Sequence, residues 1–254
     1  SNVNVTSRLI GQIRKAYEQG ERIYALVPEQ YSFTNDLKLY EALGPTAFNA
    51  IQSLSFTSLA RALFQQYGGR SGEYADDLTK TILLYQSIRA LSDSSAFSHF
   101  DRQAKKPAFQ DAAAKAITEL RRGSISPEAL LEQTARLEGR LRDKAADLAV
   151  LYGDYDRRLR EKGYKDSLTD ITEAAALCAG NEHFKGALLF LDEFESFTGD
   201  QMEFLDVLFA QAKELWITLR TEDPEAPAYS VFDATNATYR RLLALAQKHR
   251  TRHE

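Results

Sequence analysis

Ala187-Leu188-Leu189-Phe190-Leu191-Asp192-Glu193 is the stretch that decides the fold. Five consecutive apolar residues lie between Gly186 and two carboxylates, a run too short for a helix and without a polar face. That pattern predicts a strand covered on both sides, as in a parallel sheet. Three further segments read the same way: Arg22–Val27, Ile51–Phe56 and Leu215–Leu219. The first two each lead into a turn and a helical pattern, and a helix over about 6–18 precedes the first, so strands alternate with helices as in an α/β layer.

Between Tyr74 and Leu177 no strand is expected, and helical periodicity dominates. Leu141, Ala145, Leu148, Tyr152, Tyr155 and Leu159 recur at steps of three and four and form one apolar stripe. Leu78, Ile82 and Tyr85 begin another. Ser126-Pro127-Glu128 is an N-cap followed by proline at the first helical position. The expected organisation is an α/β domain over 1–69 and 181–254, interrupted by an all-helical insertion over 70–180. Glycine marks both crossings, Gly68-Gly69-Arg70-Ser71-Gly72 and Ala179-Gly180-Asn181.

Composition narrows the function. Lys plus Arg is 32 and Asp plus Glu is 36, a net charge of −4, so no global positive field draws the chain to nucleic acid or lipid, and any polyanion contact is local. With 44% hydrophobic and 27% charged residues the chain is globular, and no apolar run approaches the roughly 20 residues of a membrane helix. A cytoplasmic protein is expected, with no membrane partner. The single cysteine, Cys178, excludes an internal disulfide and any multi-cysteine metal site. His99, His183, His249 and His253 are scattered without HExxH spacing, so no metal site is expected. No GxSxG elbow is present either.

Asp192 and Glu193 fall at the carboxyl end of the buried strand, where open α/β sheets bind ligands. In nucleotide hydrolases such an aspartate holds magnesium and an adjacent glutamate orients water, so the pair is a candidate of that type; acids solvating a loop are the plain alternative. No GxxxxGK[ST] occurs in these 254 residues. If the first helix is one that follows a phosphate loop, Val5 stands at the lysine position and Thr6 at the hydroxyl position, and valine cannot bind phosphate. No catalytic or cofactor-binding residue is therefore expected here. Thr198-Gly199-Asp200-Gln201 reads as a capping box with Met202, Leu205 and Phe209 on the buried face of the next helix. Val27–Phe33 and Ser53–Arg61 follow the first two strands and offer aromatic faces with small hydroxyl and amide groups, a mix that stacks and bonds bases. The plain alternative is that Phe33 and Phe56 are core and that Ser55 caps the helix running to Tyr67.

Taken together, Leu26-Val27-Pro28-Glu29-Gln30, Leu54–Ala60, the helix around Leu148–Leu159, Leu191–Thr198 and Leu219–Pro224 resemble the N-terminal region of the AddB (RexB) subunit of bacterial ATP-dependent helicase–nucleases. The resemblance implies a P-loop-NTPase-like, superfamily 1 helicase sheet of which these residues lack the first strand and the phosphate loop, with a 1A-like discontinuous domain and a 1B-like helical insertion. It implies an AddA/RexA-type motor partner, single-stranded DNA and double-stranded ends as substrates, and a subunit that scans for a Chi-type sequence during resection for recombinational repair. ATP, magnesium and an iron–sulfur cluster belong to the parent complex, the cluster to a C-terminal region, so this part itself neither cuts DNA nor binds a cluster.

The family's scanning surface maps onto Gln30, Ser32, Phe56 and Phe194, with Ser58 and Arg61 where a basic and an aromatic residue can occur. Ser32 replaces a threonine seen in some members, and Glu193 stands where many have glycine, leaving a carboxylate pair more like that of an active motor. An ATPase domain with an upstream phosphate loop, and a subunit-docking module using Arg157, Arg158 and Arg160, are the alternatives.

Overall fold

The computed structural model describes residues 5–51, 53–69, 72–220 and 233–251. Thr221–Pro224, Arg70-Ser71 and the side chains of Val5 and Thr6 lie outside the described residues. The chain runs α1 (Val5–Glu18), β1 (Ile23–Leu26), a 3-10 turn (Glu29–Tyr31), α2 (Ser32–Ala50), β2 (Ser53–Leu54), α3 (Phe56–Tyr67) and β3 (Glu73–Tyr74). There follow α4 (Asp77–Asp93), α5 (Pro107–Arg122), α6 (Pro127–Thr134), α7 (Gly139–Glu161) and β4 (Tyr164–Lys165). The last elements are α8 (Asp170–Ala179), β5 (Leu188–Leu191), α9 (Gly199–Gln211), β6 (Glu214–Ile217) and α10 (Asp233–Lys248). Contacts divide the chain into two compact units, 1–68 with 171–254, and 69–170.

The first unit is α/β. Its four strands are parallel in the order β2-β1-β5-β6. All four segments read as strands from their apolar runs are strands. Alternation assigns side chains to two faces: Ala25, Leu188 and Phe190 pack with Leu9 and Ile13 of α1 and Leu39 of α2. Leu26, Leu189 and Leu191 pack with α3, α8, α9 and Leu242 of α10. Both faces are covered, which is why β5 has no polar position. Ala174, Ala175 and Cys178 place α8 in this core, so the second crossing falls at 170/171, ahead of the glycine expected to mark it.

At the amino ends of β1 and β5, His183 is buried between two tyrosines. Arg22 donates to the Tyr24 hydroxyl oxygen through Nε (3.1 Å) and a terminal nitrogen (2.8 Å). The Tyr24 O–H is thereby directed at His183 Nε2, 2.8 Å away, and Nδ1–H donates to the Tyr67 hydroxyl at 2.7 Å. Burial, and secondly the Arg22 charge, hold the imidazole pKa below its usual value. The unfolded chain therefore takes up this proton first as pH falls through about 6.5.

The second unit is helical, and its core is built from Leu83, Leu84 and Ile88 of α4, Ala113 and Ile117 of α5, and Leu151, Tyr152, Tyr155 and Leu159 of α7. Two expectations are corrected here. The α4 stripe Leu78, Ile82, Tyr85 is exposed, and α4 buries its neighbouring face instead. The α7 stripe is partly or fully buried from Ala145 onward, while Leu141 is exposed. A short parallel pair, β3 with β4, also lies within this unit, where no strand was expected at 164–165. Two residues per strand carry no periodicity to read. Gly72 (φ +127) makes the pair possible, since a Cβ there would stand 2.3 Å from the Gly163 carbonyl oxygen.

Two buried charges organise the helical unit. Asp147 accepts the backbone N–H groups of Ser98 (3.0 Å), His99 (2.7 Å) and Phe100 (2.8 Å), satisfying the amides of an irregular connection between helices. Arg121 is ion-paired with Asp156 and Asp166, and its guanidinium lies 5.5 and 5.3 Å from the ring centres of Tyr152 and Tyr155. Lys80 adds a contact to Asp166 at 2.8 Å.

Removing one partner of a buried pair leaves the other uncompensated. Arg121→Met is expected to destabilise the helical unit by about 3–5 kcal/mol, seen as a lower urea midpoint. The thermal midpoint of the wild type should fall as pH drops below about 6.5, and His183→Gln should flatten that dependence.

Candidate nucleic-acid interface

The carboxyl ends of the strands are level. Leu26 pairs with Leu54 on one side and with Leu191 on the other. The hydrogen bonds continue one residue beyond: Val27 N–H to Leu54 O (2.9 Å), Asp192 N–H to Leu26 O (3.0 Å) and Thr218 N–H to Leu191 O (3.0 Å). The segments after β1, β2, β5 and β6 therefore emerge side by side along one edge, despite their distance in sequence.

On this edge Gln30 is exposed in the 3-10 turn and Ser32, partly buried, opens α2. Phe33 is 81% exposed, so of the two rings weighed as core only Phe56 is. Arg61 is exposed on α3. Ser58 is committed to the helix start: its Oγ accepts the Ser55 N–H at 2.7 Å and bonds the Ser55 carbonyl at 3.0 Å, while Ser55 Oγ accepts the Ser58 N–H at 3.1 Å. Ser55 thus caps the helix, as in the plain alternative, and Ser58 reciprocates the bond.

Phe56 and Phe194 are 2% and 6% exposed, each with its ring in the core. Phe56 meets Phe194 and Phe204 edge-on at 5.8 Å, and Phe194 stacks on Phe197 at 4.8 Å. Such an aromatic cluster stabilises the edge from beneath, and neither ring offers a free face.

Asp192 is buried, with one oxygen accepting the Thr218 hydroxyl and the other, Oδ2, without a hydrogen-bond partner among the described residues. Glu193 has a left-handed backbone (φ +63). Its carboxylate accepts Lys38 Nζ at 3.0 Å and an Arg220 terminal nitrogen at 2.7 Å. β2 is tied to the same edge through Asn35, whose amide donates to Ser53 Oγ at 2.9 Å, and Asp36, which accepts the Ser53 N–H at 2.9 Å.

Lys38 carries no signal in the sequence, being one of many lysines on helices; only the register of α2 against β5 reveals it. Arg157 and Arg158, the basic turn considered for docking, are paired on their own helix with Glu161 (2.8 Å) and Asp154 (2.7 Å). Among the described residues no group of three or more His, Cys, Asp or Glu could hold a metal ion, and no helix is long and apolar enough to cross a membrane.

A family model described as ADDB, N-terminal, matches residues 2–254. The chain belongs to that family. It is 29% identical over 244 residues to the B subunit of an ATP-dependent helicase/deoxyribonuclease from Clostridium perfringens strain SM101, covering 94% of this chain and 21% of the relative. The protein of the same name from Clostridium acetobutylicum is 28% identical over 242 residues, 94% of this chain and 21% of the relative. That from Clostridium botulinum strain Hall is 32% identical over 198 residues, 78% of this chain and 17% of the relative. The chain thus spans about a fifth of the length of the curated relatives it matches.

Phe56→Ala is expected to cost about 3–5 kcal/mol of stability, with Phe194→Ala similar, because both empty the core under the edge. A lower denaturation midpoint should accompany any loss of binding in these variants.

Proposed function

We propose that this chain is the helicase-like, single-strand-contacting part of the B subunit of an ATP-dependent helicase–deoxyribonuclease, with the carboxyl edge of its sheet as the contact surface. The observation that carries this reading is the level ending of β2, β1 and β5, which gathers the segments of Gln30, Ser32, Arg61 and Glu193 on one edge. Ligands meet open parallel sheets at this edge. The parallel sheet order and the helical excursion between β2 and β5 support reading it as a P-loop-NTPase-like, superfamily 1 core with a 1B-like insertion.

Within this reading Gln30 bonds base edges, Ser32 is a nearby hydroxyl, and Arg61 meets a phosphate. The exposed ring of Phe33 supplies the stacking face, since Phe56 and Phe194 form the floor. Chi-type scanning and pairing with an AddA/RexA-type motor follow from the family reading, as do resection and recombinational repair.

A second reading, nucleotide binding, is favoured by Asp192, whose buried Oδ2 lacks a partner among the described residues. That carboxylate fits a magnesium ion, held directly or through water, which would shield the charge of a bound polyphosphate. The residues present do not fit an iron–sulfur cluster. Cys178 is the single cysteine, its thiol pushed up to about 11 by burial, whereas a cluster takes several thiolates.

Titration of a labelled oligothymidylate with the full chain tests the main reading. Phe33→Ala should weaken binding by about 1–3 kcal/mol, and Arg61→Ala should reduce the salt slope by roughly 0.7. Unchanged affinity in both variants would refute the assignment of this edge.

A further inference from the structure

Glu193 joins three elements that are far apart in sequence. Lys38 reaches it from α2 and Arg220 from beyond the end of β6, while Glu193 itself follows β5. Its backbone is left-handed (φ +63), a conformation unfavourable for any side chain and natural for glycine. The carboxylate is largely buried, with the side chain 14% exposed, but Arg220 is 80% exposed, so solvent and solutes reach the outer pair. An exposed ion pair of this kind is weak and exchangeable.

Two cations approaching one carboxylate, each on a different oxygen, present what a phosphate group also satisfies, because its oxygens accept charge-assisted bonds from lysine and arginine in the same way. Glu193 leaves the trio with a net charge of one positive; without its charge the value is two. We propose that Lys38 and Arg220 form a phosphate-binding site, and that Glu193 is its built-in competitor, occupying the place of the phosphate oxygens until a ligand displaces it. The inference rests on reading this edge as the ligand-contacting one. The phosphate belongs either to a DNA backbone or to a free nucleotide.

The test compares wild type with Glu193→Gln, which keeps the shape and removes the charge, and Glu193→Gly, which also relieves the left-handed backbone. Oligothymidylate and ATP are titrated separately at low and high salt. Both variants should bind at least one of the two ligands about threefold or more tighter at low salt, with a log–log salt slope for the oligonucleotide steeper by roughly 0.7 per added phosphate contact. Lys38→Met with Arg220→Met in the Glu193→Gln background should abolish the gain. Gain for the oligonucleotide identifies a backbone phosphate, and gain for ATP alone a nucleotide phosphate. If neither ligand binds tighter in either variant, with circular dichroism and melting matching wild type, the competitor role is wrong. Loss of binding in Arg61→Ala alongside no gain in Glu193→Gln removes only this inference. Gain in Glu193→Gln alongside unchanged binding in both Arg61→Ala and Phe33→Ala leaves the anion site standing and removes the strand-contacting roles of those two residues.

Discussion

The pairing of β1 with β5 is the constraint on which the rest depends. It joins Ile23–Leu26 to Leu188–Leu191 over four residues in register, across the whole helical unit. Closing so long a loop carries an entropic cost that grows only slowly with length, so an insertion between β2 and β5 is tolerated if the pairing itself is strong. Strength comes from burial on both faces: Leu189 and Leu191 enter one layer, Leu188 and Phe190 the other. A one-residue slip would exchange these sets and displace Asp192 from the Leu26 carbonyl. The register therefore fixes the geometry of the edge as well as the core.

Polar groups near that sheet divide by position. At the amino ends His183, Tyr24, Tyr67 and Arg22 form a closed hydrogen-bonded relay. At the carboxyl ends the groups are incompletely satisfied or exchangeable, with Asp192 Oδ2 unpartnered among the described residues and Glu193 shared between two cations. Closed networks rigidify, whereas open ones leave capacity for a ligand. In the helical unit, Asp147 and Arg121 belong to the first kind, and their charges are taken up by backbone amides and carboxylates inside the unit.

Much of the α/β unit was legible because its signals are local. Apolar runs bounded by glycine or acids marked the strands, Ser55 and Thr198 marked helix starts, and the Asp192-Glu193 step marked the carboxyl edge. The helical unit was less legible for a physical reason. Helix α4 carries Leu78, Ile82, Leu83, Leu84, Tyr85 and Ile88, so more than one face satisfies helical spacing, and packing against the α7 residues Leu151, Tyr152 and Tyr155 selects which face is buried. The same ambiguity covered Phe33 and Phe56. Both are aromatic and follow a strand, yet one is exposed and the other lies under the edge, because that depends on which way the following helix turns.

By itself the sequence determined the alternation of strands and helices, the two-unit division in outline, the parallel character of the sheet and the family resemblance. The fold features follow from periodicity, capping and composition, which are properties of neighbouring residues, and the resemblance from the ordered motifs themselves. Only the tertiary structure decided which rings face outward, that α8 packs with the sheet, and that Lys38 and Arg220 converge on Glu193. Those facts depend on distances between residues separated by whole elements, and no local pattern encodes a distance that strand register and helix packing set.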